Sequence, residues 1–165
     1  MTAVYDNRGY FSEEELKDHL PSKELLGKKK NAVVECIQSI PCNACVDACR
    51  FSAVKKANIN DPPKVDWDKC NACMQCIRAC PGLAMFIVAI KDGKAQISMP
   101  WEMPYRPKVD ETVEVLDRKG DRVGTGKVVR VMPPIKENKT WIITVETDEG
   151  LVEKVRNFRR PRDAQ

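Results

Sequence analysis

Apolar and polar positions divide the chain into stretches of different texture. Up to residue 30 the hydrophobic side chains are sparse. Ser12 followed three residues later by Glu15 is a capping-box signature, and Glu13 to Leu20 reads as one short helix ended by Pro21. A second turn, Lys23 to Leu26, stops at Gly27. From 31 the pattern changes to short apolar runs between loops. Ala32 to Ile37 reads as a strand, and a loop at 38–45 leads into a short helix near Val46 to Phe51. Ala53 to Asn58 reads as polar helix or turn, and Asp61-Pro62-Pro63 breaks the chain. Lys64 to Asp66 is a short strand, 70–80 a loop followed by a helix, and Met85 to Ile90 an apolar strand. Asp92-Gly93 is a hairpin signal that pairs Ala95 to Met99 back onto it.

Residues 99–107, MPWEMPYRP, hold three prolines and two aromatics, which no regular helix accommodates. They place a linker at 100–107, lying against the preceding domain so that Trp101 and Tyr105 are covered. Beyond 108 the alternation is strand-like. Val113 and Val115 alternate with polar residues, Lys119-Gly120 turns, Lys127 to Met132 is valine-rich, and Pro133-Pro134 breaks it. Trp141, Ile143 and Val145 alternate again, and Asp148-Glu149-Gly150 turns into Leu151 to Val155. Short strands at this spacing predict a small antiparallel barrel over 108–165, and the pattern resembles an SH3-like barrel. The expected class is α+β: a helical lead-in at 1–30, a cysteine-bearing domain at 31–99, the linker, and the barrel.

Composition narrows the function less than the pattern does. The 165 residues are 42% hydrophobic, a globular value, with only 6% aromatic, so the core must be aliphatic. The longest apolar run, Leu83 to Ile90, is eight residues, far short of the roughly 20 a membrane span needs. Residues 1–9 carry no apolar stretch, so no secretory signal is expected and the expected compartment is the cytoplasm.

Eight cysteines in a reducing compartment point to metal ligands or redox thiols before disulfides. Cys70-x2-Cys73-x2-Cys76-x3-Cys80-Pro81 is the run used to hold a 4Fe–4S cubane. Three thiolates two residues apart wrap one face of a cube, and the fourth, on the next helical turn, points away. Zinc favours two separated Cys-x2-Cys pairs, so it fits this run poorly; zinc and disulfides stay open as the lesser alternatives. Cys36-x5-Cys42-x2-Cys45-x3-Cys49 is an earlier, imperfect copy. Setting Cys42, Cys45 and Cys49 on Cys73, Cys76 and Cys80 gives a repeat of 31 residues (73 − 42), and CNAC recurs at 42–45 and 70–73. The copy departs twice. Ser39 occupies the slot of the first cysteine, which stands five residues before Cys42, and Arg50 replaces the proline. A loop of that length can return Cys36 to a cluster; the alternative is a buried strand cysteine beside a three-coordinate or 3Fe–4S centre.

On these residues, 31–90 resembles a bacterial-type two-cluster 4Fe–4S ferredoxin module, which implies the doubled βαβ fold. The family's crossed pattern implies Cys36, Cys42, Cys45 and Cys80 on one cluster and Cys70, Cys73, Cys76 and Cys49 on the other. Through ECIQSIPCNACVDAC and KVDWDKCNACMQCIRACPGLA, with a β-rich tail following, the chain is also similar to the small ferredoxin-like subunits of multi-subunit flavin-dependent amino-acid dehydrogenases of proline, hydroxyproline, opine or sarcosine-oxidase type. That resemblance implies flavoprotein dehydrogenase partners carrying FAD or FMN, and an anaerobic or microaerobic setting.

Charge bears on the partner. The formal charge is +4, with 14 basic and 12 acidic residues in 1–100 and the same numbers in 101–165. Each oxidised cluster with its thiolates adds about −2, so two clusters bring the chain near neutrality. Diffusing ferredoxins are steered by strong acidity, so near-neutrality favours a subunit fixed in a complex, with a stand-alone carrier as the alternative. The basic run VRNFRRPR holds one aromatic, Phe158, and no stacking platform, so no nucleic-acid partner is expected, and an iron–sulfur nucleic-acid-binding or regulatory protein is the remaining minor reading. Lys28-Lys29-Lys30 reads as a solvated stretch, or as a docking patch for an acidic partner. His19, the single histidine, is expected at the surface of its helix, and no acid–base or nucleophilic constellation remains. The expected function is electron transfer, without catalysis by the chain itself.

Overall fold

Ser12 starts the first helix as its sequence promises. Its hydroxyl accepts from the Glu15 N–H at 3.3 Å while the Glu15 carboxylate accepts from the Ser12 N–H at 2.7 Å, and α1 (Glu13–Leu16) follows. The computed structural model describes residues 8–161, so residues 1–7 of the lead-in and Arg162 of the basic run lie outside the described residues. The helix tightens into a 3₁₀ turn at Lys17–His19 instead of continuing to Leu20. Helix α2 (Lys23–Lys28), capped by Ser22, carries Gly27 inside it and ends one residue later, where Lys29 turns extended. Leu16 and Leu26 are the buried anchors of this lead-in.

The remaining elements are β1 (Asn31–Val34), α3 (Ala44–Asp47), β2 (Val54–Lys55), β3 (Lys64–Val65), α4 (Gln75–Ala79), β4 (Met85–Lys91), β5 (Lys94–Trp101), β6 (Thr112–Leu116), β7 (Arg122–Met132), β8 (Trp141–Asp148) and β9 (Asn157–Arg159). Segment 53–58, expected as polar helix or turn, thus contributes a strand at its start. Seven strands form one antiparallel sheet in the order β1-β4-β5-β8-β7-β6-β9, and β2 pairs β3 apart from it. The class is α+β, mostly antiparallel sheet with few helices.

The two ladders of the cysteine-bearing half obey the 31-residue offset. β2 meets β3 at Val54↔Val65 and Lys55↔Lys64. Moving the first partner forward and the second back by 31 gives Met85↔Val34 and Phe86↔Val33, both of which are pairs of the β1–β4 ladder. The helices follow suit: α3 begins at Ala44 and α4 at Gln75.

A separate closed barrel over 108–165 is not what forms. Among the described residues, β1 pairs only β4 and β9 only β6, so the seven-stranded ladder is open. The reason is β5. Asp92 and Gly93 both take left-handed φ, 51° and 71°, the two-residue hairpin turn their types favour. The returning strand outruns its partner, pairing with β8 over eight residues from Lys94↔Asp148 to Trp101↔Trp141. Pro100 lies beyond Ser98, the last residue of β5 with a partner on β4, so its missing N–H removes no bond on that side. The first two residues of the expected linker, Pro100 and Trp101, are therefore strand. Trp101 and Tyr105 are covered at the C-terminal end of the chain, within the core that both halves share. Trp101 stacks on Phe158 at 4.1 Å between ring centroids and donates its indole N–H to the Tyr105 carbonyl at 2.6 Å. One apolar core runs from Val33, Phe86 and Val88 through Ile97 to Val113, Val145 and Phe158.

Leu151 to Val155, expected as strand, is a 3₁₀ turn at Glu149–Leu151 followed by further turn, with the Val155 N–H donating to the Leu151 carbonyl at 3.0 Å. Its apolar residues 151, 152 and 155 follow helical spacing, not alternation. Gly126 in β7 permits the tightest passage in this half. A Cβ there would stand 2.6 Å from Val145 Cγ1, 2.8 Å from Val115 Cγ1 and 2.9 Å from the Glu146 carbonyl. Gly126→Ala is expected to cost about 1–3 kcal/mol, read as a lower thermal midpoint. Gly124→Ala, whose nearest atom is the flexible Leu151 Cδ1 at 2.8 Å, should cost less.

Candidate metal centre

Helices of four and five residues and strands of two do not hold shape alone, so the cysteine loops are fixed by turns, buried charges and one another. All eight cysteines are free thiols. Cys36 follows β1, Cys42 precedes α3, Cys45 lies in it, and Cys49 follows. Cys70 and Cys73 sit in the loop before α4, Cys76 lies in that helix and Cys80 caps it.

The structure brings them together in two groups. Cys49, Cys70, Cys73 and Cys76 line one cavity with about 310 Å³ of empty space, part of it open to solvent, and the rest of its wall is almost wholly apolar. Burial pushes the Cys76 thiol up to about 12, and Cys70, Cys73 and Cys49 add to the rise. The other four also share an environment. Burial raises the Cys36 and Cys45 thiols, Cys80 and Cys42 push each in the same direction, and the Lys56 ammonium pulls both back. Among the described residues no three His, Cys, Asp or Glu side chains converge as a single metal ion requires. In the first group the cysteines stand around a space, with four sulfurs available to a multi-atom core.

Backbone N–H groups point at the sulfurs. Cys49 Sγ accepts from Ala53 at 3.2 Å and Val54 at 3.4 Å, Cys80 Sγ from Ala84 at 3.4 Å, and Cys70 Sγ from Ala32 at 3.4 Å. Such bonds orient the sulfurs and complement negative charge on a bound cluster. Ala53 and Ala84 are 31 apart, and the turns delivering them match. Ser52 and Leu83 both take left-handed φ, 50° and 52°, and donate to the carbonyls of Cys49 and Cys80. Arg50 in place of the proline therefore leaves the turn intact. The donor set, the cavity and the N–H···S bonds fit an iron–sulfur cluster.

The other departure has a backbone cause. Ala72 and Met74, flanking Cys73, adopt left-handed φ of 56° and 67°. Their counterparts 31 residues earlier are Pro41, whose ring confines φ near −65°, and Asn43, at φ −125°. The first loop cannot repeat the second loop's path, and a cysteine at position 39 would not be delivered the same way. Ser39 is exposed and donates to the Asn60 carbonyl at 2.9 Å.

Two buried charged groups tie the cysteines to the rest of the sheet. Glu35, next to Cys36, accepts from Arg118 at 2.6 and 2.9 Å and from Arg156 at 2.5 Å, with all three side chains at most 10% exposed. Burial alone would raise its carboxyl, but the Arg156 and Arg118 charges outweigh burial and hold it below the usual range. Arg78, between Cys76 and Cys80, donates to the carbonyls of Thr140 at 3.0 Å and Pro133 at 2.9 Å, and Asn138 donates to the Arg78 carbonyl at 2.6 Å. Lys56 donates to the carbonyls of Cys42 at 2.6 Å, Ile59 at 3.2 Å and Ile40 at 3.5 Å. Sequence reasoning passed over these residues. The available signal was a charge inside an apolar run, Glu35 in AVVEC and Arg78 in CIRAC. His19 is half-buried rather than at the surface; burial pushes its imidazole down, with Asp18 and Lys64 beside it.

A family profile described as the 4Fe-4S binding domain matches residues 63–86, the segment with Cys70, Cys73, Cys76 and Cys80. No curated protein and no solved structure matches the chain. The match supports a ferredoxin-type 4Fe–4S module, and with it an iron–sulfur role in electron transfer. No helix among the described residues is long and apolar enough to cross a membrane.

Proposed function

We propose that the chain is a non-catalytic electron-transfer subunit holding two 4Fe–4S clusters in a doubled ferredoxin-like fold. Cys70, Cys73, Cys76 and Cys49 bind one, and Cys36, Cys42, Cys45 and Cys80 the other. The observation that carries this reading is Cys49. Its sulfur lines the cavity of Cys70, Cys73 and Cys76 although it precedes them by more than 20 residues, as a crossed ligand set requires.

The clusters supply one-electron redox chemistry when bound. The chain's own residues fix where it happens. N–H groups of Ala32, Ala53, Val54 and Ala84 steady the thiolates and lower the cost of added negative charge. Cys73 and Phe51, the latter 47% exposed, bring the cavity of Cys49, Cys70, Cys73 and Cys76 to the surface, where a partner can approach. The partner is a flavoprotein dehydrogenase for an amino acid or amine, in a cytoplasmic hetero-oligomer; its flavin yields two electrons that leave singly. Near-neutral charge of the loaded chain supports residence in a complex over free diffusion.

Anaerobic isolation of tagged protein from its own host tests this, with size-exclusion chromatography, full spectra and iron quantitation. The expected species is larger than the chain, carries flavin and broad iron–sulfur absorbance, and holds about eight irons per copy, four for each cluster. A flavin-free brown species of about the chain's own 18.7 kDa would overturn complex membership in favour of an independent carrier. About four irons per copy would overturn the second cluster.

A further inference from the structure

The repeat makes the two cysteine groups comparable position by position, and at one position they differ in charge. Lys56 stands where the later copy has Ile87, 31 residues on. Ile87 is 2% exposed and forms part of the apolar wall around Cys49, Cys70, Cys73 and Cys76. Lys56 instead reaches the loop between Cys36 and Cys42, where its ammonium binds the Ile40 and Cys42 carbonyls and that of Ile59. Among the described residues it forms no ion pair with a carboxylate, so its charge is not neutralised at short range. It is half-buried, where solvent screens less than at the surface. The loop it grips is also the one that Pro41 forces away from the repeat's path.

We infer that Lys56 tunes the reduction potential of the cluster held by Cys36, Cys42, Cys45 and Cys80, its ammonium stabilising the added electron while its three hydrogen bonds hold the extended loop. This rests on the two-cluster reading above. The step is a one-electron reduction, with dithionite as donor in the test; no bond forms or breaks and no proton need move. The added electron makes the cluster more negative, so a nearby cation favours the reduced form and its removal disfavours it. The other group has isoleucine at this position.

Lys56→Gln keeps a hydrogen-bond donor for the loop and removes the charge; Lys56→Arg keeps the charge. Both are compared with the unaltered chain by dithionite titration followed by electron paramagnetic resonance, with iron counted in each sample. In Lys56→Gln, one cluster is expected to resist reduction by about tenfold in equilibrium constant, a negative shift of about 59 mV for one electron, while the second midpoint stays fixed and Lys56→Arg keeps both. Two intact clusters with neither midpoint moved in Lys56→Gln would overturn the tuning role. Loss of iron in both variants would also overturn it, leaving Lys56 a purely structural clamp. A single cluster in the unaltered chain would instead defeat the two-cluster reading, which the iron count reveals before any variant is compared.

Discussion

Glu35→Ala is expected to destabilise the chain by about 3–5 kcal/mol, because it leaves the Arg118 and Arg156 guanidinium groups buried without the carboxylate they share. At roughly 2–4 °C per kcal/mol for a chain of this size, the thermal midpoint should fall by about 6–20 °C. Only the removed partner makes the cost so large. The intact triad stabilises far less than this, since three charges had to leave water to form it. Glu35→Gln, which still accepts one hydrogen bond but carries no charge, should fall between. Calorimetry of the cluster-loaded protein checks the order, and a change under about 2 °C would show that Arg118 and Arg156 find other partners or water. Because Glu35 adjoins Cys36, an early loss of visible absorbance on heating should accompany the variant.

Removal of iron is expected to have an effect of comparable size but unequal distribution. Oxidation followed by chelation should loosen residues 42–80 and leave the sheet centre folded. The reason is the poverty of local structure around the cysteines: α3 and α4 have four and five residues, and β2 and β3 pair through two residues each. The other half needs no cysteine. Ile97, Val113, Ile143 and Val145 are fully buried, and β5, β7 and β8 form long ladders. A bound group occupied a hundredfold above its dissociation constant adds about 2.7 kcal/mol to whatever it binds. Amide exchange in 42–80 should therefore accelerate by at least about 100-fold on iron removal, with β8 amides unchanged. Uniform acceleration across the chain would mean that both halves unfold as one unit.

Local chemistry was legible in the sequence wherever neighbours along the chain decide the outcome. Ser12 with Glu15 marked the first helix start, Asp92-Gly93 marked the hairpin, and the Cys-x2-Cys-x3-Cys spacing at 42–49 and again at 73–80 marked the 31-residue repeat that the β1–β4 and β2–β3 registers follow. What depends on distant partners was not legible. Nothing near Lys94–Trp101 announces that β5 will outrun β4 and recruit β8, so strands that alternate like a barrel joined an open sheet. Leu151–Val155 carries enough valine to suggest a strand, and only the adjacency of residues 151 and 152 argues for a turn. The pairing of Glu35 with arginines more than 80 residues away is invisible before folding, because a glutamate at the end of a strand ordinarily faces water. In the candidate centre, the cysteines were readable from their spacing, and the atoms that differentiate the two groups were not. Pro41 was visible as a letter, but its meaning emerged only beside the left-handed Ala72.

The continuous ladder from β1 to β9 has a mechanical consequence. Many redox assemblies move a carrier domain on a flexible tether between donor and acceptor, and then turnover follows the swing. Here β5 belongs at once to the strand set beside the cysteines and to the set that follows, with Glu35 and Arg78 as cross-braces from one to the other. A swing between the halves would break eight residue pairs of the β5–β8 ladder along with both braces. On the proposed two-cluster reading this makes the chain a fixed relay: the distance between the two clusters would be set at folding, and any motion that gates electron flow would come from the molecules that dock on it.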